Sequence, residues 1–493
     1  MCPSIWYSSY LSESNNNDCD CDCDCDCACA GQTNLSGASF VGDTGWRNGS
    51  LIVPKGLIQI HLKNDYVSIL NPNGTCRMVV FDPPAFQVFN NLFKNKSKGF
   101  GSKDVLSEQQ EKLINKLFKI GFFNRVGTGE DFSLPNKRML TAWISITNKC
   151  NLDCLYCYVP KSVGSNLDFK IGTNIIDAIF RSALINNYNK VKIKYSGGEA
   201  SLNLKLVGFL HDYLLQKSAV TGIEIQEVLL TNGVFLPEVE IDNLKQNNIG
   251  VMVSLDGIGQ YHDDQRPMFS KDKGSFSQVL STLNLLQDKN LTPFISITVT
   301  KLNVLGLTNL VEFLLARELP FGFNFYRKPL SVQTNEEDLS AHNEILITEL
   351  RKVFEIIRNK LPRANYLGTL LDRTNINYPH EHSCGVGNNY IVFDQNGQTY
   401  PCHMKMTDSM KFANCYSLDV LDDIKKSFED NFFRKHSACH TCAWLSICAG
   451  GCPVMSKHKD LMPPHCEVYK VLLPEIVELK SLQLLAYTKS LAL

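Results

Sequence analysis

Eight residues, Cys150-Asn151-Leu152-Asp153-Cys154-Leu155-Tyr156-Cys157, carry three thiols in the spacing C-x3-C-x2-C. A four-iron cube needs a ligand on each iron, so a three-thiolate loop leaves one corner open for a small molecule to chelate. The competing reading is zinc. A structural zinc ion takes four protein ligands, and this loop has no fourth Cys or His within reach along the chain, which favours the cluster.

The residues around the loop describe a scaffold that would display it. From 140 to 360 the chain alternates strand-like and amphipathic helical stretches, with strands expected at 143–147, 191–195, 224–230, 250–255, 294–300 and 321–326. Six such repeats imply parallel strands joined by right-handed crossovers. The expected fold class is α/β, an open, partial (β/α)6 barrel whose active site lies at the C-terminal strand ends. Each motif falls at such an end: the three-thiol loop, Ser196-Gly197-Gly198-Glu199, Thr231-Asn232-Gly233, Ser254-Leu255-Asp256-Gly257 and Thr298-Val299-Thr300. Paired glycines let backbone approach a ligand closely, and a carboxylate beside them accepts hydrogen bonds from an ammonium.

A chain of 493 residues, 44% hydrophobic, suggests about three packed domains. Its 49 basic and 50 acidic residues leave a formal charge of -1, so no global basic surface offers itself to nucleic acid. No apolar run spans a bilayer, and the first ten residues have neither a basic start nor an apolar core. The expectation is a cytoplasmic protein that contacts no membrane. Nineteen cysteines in such a chain favour metal binding over disulfides.

Those cysteines mark the organisation. Seven precede residue 30, three form the loop, eight lie between Cys384 and Cys466, and Cys76 stands apart. Residues 1–50 are rich in Asn, Ser, Gly and Asp and contain Cys19-Asp20-Cys21-Asp22-Cys23-Asp24-Cys25-Asp26-Cys27-Ala28-Cys29. Their composition predicts a disordered tail. Alternating thiol and carboxylate suits soft metals, or imitates a Cys-rich peptide substrate held in cis; composition alone favours a tail with no catalytic role.

Residues 55–127 predict a small α+β domain. Strands are expected at 57–62, 66–70 and 76–81, separated by Lys63-Asn64-Asp65 and Asn71-Pro72-Asn73-Gly74. A helix opened by Pro84 follows, then a second begun by a Ser107/Gln110 capping box, with Leu113, Ile114, Leu117 and Phe118 on its apolar face and Gly121 after its end. At the other end, residues 380–470 hold Cys384, Cys402, Cys439, Cys442, Cys448, Cys452 and Cys466, ahead of a helix expected over 471–493. Their C-x2-C pair is also common at zinc sites.

The C-x3-C-x2-C loop, with an aromatic residue before its third cysteine, resembles the signature of radical S-adenosylmethionine (radical SAM) enzymes. The resemblance implies a 4Fe-4S cluster on Cys150, Cys154 and Cys157 whose open iron binds S-adenosylmethionine. Electron transfer then yields a 5'-deoxyadenosyl radical that takes hydrogen from substrate. By the same resemblance Gly197, Gly198 and Glu199 hold the methionine ammonium, with Ala200 where proline is usual, and Ser254, Asp256, Arg266 and Thr298 contact the ribose or carboxylate.

The later cysteines resemble the SPASM domain of radical SAM peptide modifiers. That implies one auxiliary 4Fe-4S cluster on Cys439, Cys442, Cys448 and Cys466. Cys384, Cys402 and Cys452 would hold a second, short of a ligand, for which Cys415, His380, His382 and His403 are candidates. Residues 55–127 resemble winged-helix-like domains that capture the leader of a precursor peptide on their third strand. Together these imply a maturase that installs a thioether or other crosslink, or an epimer, in a ribosomal peptide, using an electron donor such as flavodoxin or ferredoxin. The enzymatic rival is an anaerobic sulfatase maturase, a family that carries an aspartate after the second auxiliary cysteine, where this chain has His403, and lacks the leader-binding module. A non-enzymatic metal-binding protein is the reading from another class. No residue is assigned as the catalytic acid or base.

Overall fold

The computed structural model describes residues 4–7, 56–72, 77–93, 106–123, 139–159, 164–270, 274–328, 338–377, 380, 382–406, 413–431, 436–455 and 462–490. The Cys-Asp tract and Cys76 lie outside them.

Near the N-terminus four short strands form an antiparallel sheet: β1 (Ile5–Tyr7), β2 (Ile58–His61), β3 (Val67–Leu70) and β4 (Met78–Phe81), in the order β1-β4-β3-β2. Val67, Ile69, Val79 and Phe81 face the helices Pro83–Phe93 and Glu108–Lys119 through Phe89, Leu92, Leu113, Ile114 and Leu117. The capping box forms as expected, with Ser107 Oγ accepting from Gln110 N and Gln110 Oε1 accepting from Ser107 N. Leu70, Met78 and Val80 join the main core on the opposite face, where the helix Cys466–Ser490 lies and Ser481 Oγ donates to Ser68 Oγ at 2.7 Å. Both faces of β3 and β4 are covered, so β4 reads as a continuous apolar run and β3 is broken only by Ser68.

β1 was not expected. Ser4 and Asp82 exchange two hydrogen bonds, Ser4 N to Asp82 Oδ2 at 2.9 Å and Asp82 N to Ser4 O at 3.1 Å, and Ile5 enters the domain core. Ile-Trp-Tyr are strong strand formers, but three of them in a polar stretch vanish in any average over composition.

The barrel strands are β5 (Met139–Thr147), β6 (Lys190–Gly197), β7 (Glu224–Thr231), β8 (Gly250–Ser254), β9 (Phe294–Val299) and β10 (Phe321–Phe325). They pair in parallel in chain order, with helices between them, as the six-repeat rhythm predicts. The C-terminal cysteine region is not a separate body. β11 (Tyr390–Phe393) pairs in parallel with β5, and β12 (Gln398–Tyr400) and β13 (Ala413–Asn414) extend the sheet to nine strands. An unpaired β5 edge would leave backbone groups unsatisfied; β11 satisfies them, and Thr141 N donates to Asn389 O at 2.9 Å. The final helix starts at Cys466, not 471, because the chain turns helical on the last cysteine itself. Among the described residues no helix is long and apolar enough to cross a membrane.

Candidate active site

Cys150, Cys154 and Cys157 line one cavity of about 230 Å³ at the C-terminal ends of the barrel strands. Their loop is clamped from outside: Asp153 N donates to Pro267 O at 2.9 Å and Leu155 N to Gln265 O at 3.0 Å. Asn232 at the end of β7 donates through Nδ2 to Asn151 Oδ1 at 2.6 Å, with Cys150 Sγ 3.9 Å away. Burial pushes the Cys154 thiol up to about 11 against the pull of the Arg266 guanidinium, so metal binding there must displace a proton. Among the described residues no three His, Cys, Asp or Glu are gathered as tightly as one metal ion requires.

The Gly-Gly-Glu segment lines the same cavity, and its glycines also pack against the backbone at the end of β5. Gly197 sits at φ +136°, and a Cβ there would lie 2.0 Å from Thr147 O; one on Gly198 would lie 2.3 Å from Lys149 O. Gly198 N donates to Thr147 O at 2.7 Å and Glu199 N to Lys149 O at 2.8 Å. The close approach is therefore to the backbone that leads into the thiol loop. The Glu199 carboxylate is also engaged, accepting from Thr231 Oγ1 at 2.7 Å, Ser201 N at 3.0 Å and Asn232 N at 2.6 Å. It ties the ends of β6 and β7 together while lining the cavity. Gly198→Ala should cost about 2–3 kcal/mol, because the clash is with backbone that no rotamer change relieves. Urea denaturation with iron analysis checks this; unchanged stability and iron content would refute it.

Ser254, Arg266 and Thr298 line the cavity as well, whereas Asp256 does not. Asp256 is fully buried: Oδ1 accepts from Thr298 N at 2.7 Å, Oδ2 accepts from Tyr156 OH at 2.6 Å and lies 3.5 Å from Arg266 Nη1. Arg266 Nη1 also bonds Tyr156 OH. Asp256 thus sits behind the groups that face the cavity, paired with them as a carboxylate this deep must be. Tyr156, the aromatic residue before the third cysteine, fastens the thiol loop to the ends of β8 and β9. Arg266 Nε is buried without a hydrogen-bond partner among the described residues.

Sequence reasoning missed two arginines of the cavity wall. Arg327, just past β10, and Arg373 both line the cavity and both face the fully buried Asp372. Asp372 Oδ2 also accepts from Phe325 N at 3.0 Å. Arg327 follows a strand end and was open to discovery by the rule that found the other motifs; Arg373 lies in an irregular segment that no motif marks. His403 completes this wall, stacked between Trp143 and Tyr158 with ring centroids 4.7 Å from each, and its Nδ1 lies 3.1 Å from Tyr390 OH.

The remaining cysteines fall in two places. Cys439, Cys442, Cys448 and Cys466 line one small cavity of about 20 Å³, and burial pushes the Cys448 thiol up to about 11. Cys384, Cys402 and Cys452 are buried together with Trp143 and Tyr390 behind the His403 wall, where burial raises the Cys402 thiol. Cys415 belongs to the main core instead, its Sγ against Gly397 on the β11–β12 turn.

Residues 144–314, which hold the thiol loop and β6 to β9, match the Radical SAM superfamily. That stretch is a radical SAM domain. Radical SAM enzymes use a 4Fe-4S cluster and S-adenosylmethionine, and the residues present fit that pair. Three thiols line the cavity together with Ser254, Thr298 and the Arg266 guanidinium, a donor set that suits a thiolate-held cluster and a polar cofactor. A cysteine-type anaerobic sulfatase-maturating enzyme of Clostridium novyi is 23% identical over 325 residues, 62% of this chain and 85% of that one. The antilisterial bacteriocin subtilosin biosynthesis protein AlbA of Bacillus subtilis is 23% identical over 311 residues, 61% of this chain and 62% of that one. In fold, native anSMEcpe solved with bound AdoMet superposes with a TM-score of 0.58 at 20% identity, covering 69% of this chain and 99% of that one.

Proposed function

We propose that this radical SAM enzyme modifies a ribosomally made peptide, forming a thioether or other crosslink or an epimer. The observation that carries the reading is the single cavity that joins the three-thiol loop to a wall of Arg327, Arg373 and His403, directly in front of the buried Cys384, Cys402 and Cys452. When bound, the cluster and S-adenosylmethionine supply an abstractor of hydrogen atoms. In this reading Cys150, Cys154 and Cys157 hold the cluster, Arg266, Ser254 and Thr298 hold the cofactor, and Asp256 keeps Arg266 and Tyr156 in place. The guanidiniums of that wall orient a polar substrate, and the seven later cysteines hold two auxiliary clusters as in SPASM domains. The likeness to a bacteriocin biosynthesis protein supports a peptide substrate. A leader-binding role fits the N-terminal sheet, and a reducing cytoplasm with a flavodoxin- or ferredoxin-like donor fits exposed thiolate chemistry.

A second reading, a sulfatase maturase, is favoured by the likeness to the Clostridium novyi enzyme. The two separate on substrate. Anaerobically reconstituted enzyme, given S-adenosylmethionine and a reductant in deuterated water, should release 5'-deoxyadenosine and alter a Cys-rich precursor peptide, by loss of hydrogen for a crosslink or gain of one carbon-bound deuterium for an epimer, and leave a sulfatase active-site peptide unchanged. The reverse pattern of substrates overturns the proposal.

A further inference from the structure

We propose that the outer edge of β4 is an exchangeable peptide-binding site, filled in this structure by the chain's own β1, and that a precursor leader enters by displacing that strand. The proposal deepens the leader-binding role of the N-terminal sheet, and it rests on the peptide-modifying reading for the identity of the incoming strand.

β4 needs a neighbour on that side. It is the third of the strands expected in residues 55–127, the one that would capture a leader, and Met78–Phe81 are buried throughout. An apolar strand with an open edge is a template for any extended segment that reaches it. β1 meets the need with three residues, in the antiparallel register Ile5 to Phe81, Trp6 to Val80 and Tyr7 to Val79. Main-chain pairing of this kind is how an extended peptide adds to a sheet.

The edge lies in a groove with two apolar walls. Side chains alternate along a strand: Ile5 and Tyr7 pack with the helices Pro83–Phe93 and Glu108–Lys119, whereas Trp6 packs on the main core. Trp6 also meets Tyr66, with ring centroids 5.5 Å apart. Asp82 fixes the entry end of the strand, accepting from Ser4 N through Oδ2 at 2.9 Å and from Ala85 N, in the first turn of its helix, through Oδ1 at 2.8 Å. The groove therefore suits an extended segment with an aliphatic and an aromatic side chain two residues apart and a second aromatic between them.

β1 is held lightly for a strand of the fold. Only Ile5 is buried, and Trp6 and Tyr7 are half-buried. Residues 8–57 separate β1 from β2, and closing a connection of that length costs entropy that three residues must offset. A strand on such a tether acts as a ligand at an effective concentration of about millimolar or below. It excludes weak peptides and yields to one with better side chains or a longer pairing. The fraction of open sites then sets the apparent affinity of the incoming peptide.

Fluorescence anisotropy of a fluorescein-labelled synthetic peptide of residues 3–9, added to the reconstituted full chain, tests this. Ile5→Asp, which brings a charge among the apolar groups that receive Ile5, should bind the peptide at least about tenfold more tightly than the parent, as for a site held closed about nine times in ten. A peptide that itself carries Ile5→Asp should bind to neither chain. Equal affinity of parent and variant for the unaltered peptide overturns the occupancy by β1, and binding of that peptide to neither chain overturns the site. Amide hydrogen exchange separates displacement from unfolding: in Ile5→Asp the β4 amides that face β1 should exchange faster, the peptide should slow them again, and the two helices should stay protected. If Ile5→Asp loses the helices as well, Trp6→Ala, which removes the Tyr66 contact without burying a charge, decides by the same comparison. Loss of the helices in both variants makes β1 a fixed part of the domain and overturns the exchange. None of these measurements uses S-adenosylmethionine, so a failure to form deoxyadenosine would remove the radical reading and leave the groove to be judged on binding alone.

Discussion

Replacing Cys150, Cys154 and Cys157 together by Ala should bring 5'-deoxyadenosine formation to background, a loss of at least about 10^6-fold on the scale of enzymatic rate enhancement. The three thiols are the cysteines that line the cavity, and the carboxylates near them are engaged elsewhere: Glu199 by Ser201, Thr231 and Asn232, and Asp256 behind Arg266. Cys439, Cys442, Cys448 and Cys466 line a different cavity. Iron should therefore fall by one cluster's worth and no more. The two outcomes are read separately, by chromatography of the nucleoside and by iron and sulfide analysis. Undiminished deoxyadenosine would remove the loop from the chemistry, and loss of all iron would show that the clusters depend on one another.

That expectation rests on elements the sequence announces clearly. The six parallel strands were legible because each is rich in β-branched or aromatic residues and all but the last lead into a helical period, a rhythm that repeats along the chain. The loop, Gly-Gly-Glu and Ser254 were legible because such a fold gathers ligand groups at one set of strand ends. What escaped depends on contacts between distant segments. Nothing local says that Gly197 and Gly198 make room for Thr147 O and Lys149 O, or that Asp256 turns inward to Tyr156 and Arg266. The merging of the cysteine-rich region with the barrel follows from the pairing of β11 with β5, a partnership across some 250 residues. β1 escaped for the opposite reason, being too short to show any period.

Asp372→Asn should destabilise the protein by about 3–5 kcal/mol, the cost of removing one partner from a buried charge pair. Asp372 is fully buried, bonded to Arg327, 3.7 Å from Arg373 Nε, and bound to the backbone of β10 at Phe325. Neutralising it leaves two guanidiniums side by side on the cavity wall with their shared anion gone. Each raises the cost of charging the other, and neither loses its proton at accessible pH. The wall should open, and with it the alignment of β10. Urea denaturation measures the stability, and a lowered midpoint with unchanged slope locates the effect in the folded state. If the wall is built to receive carboxylates, Asp372→Asn should also respond to an added carboxylate: acetate should restore part of the lost stability, and acetamide should not. Equal stability of the variant and the parent would mean that the two arginines find other anions, and the wall would lose its claim as a carboxylate-binding surface.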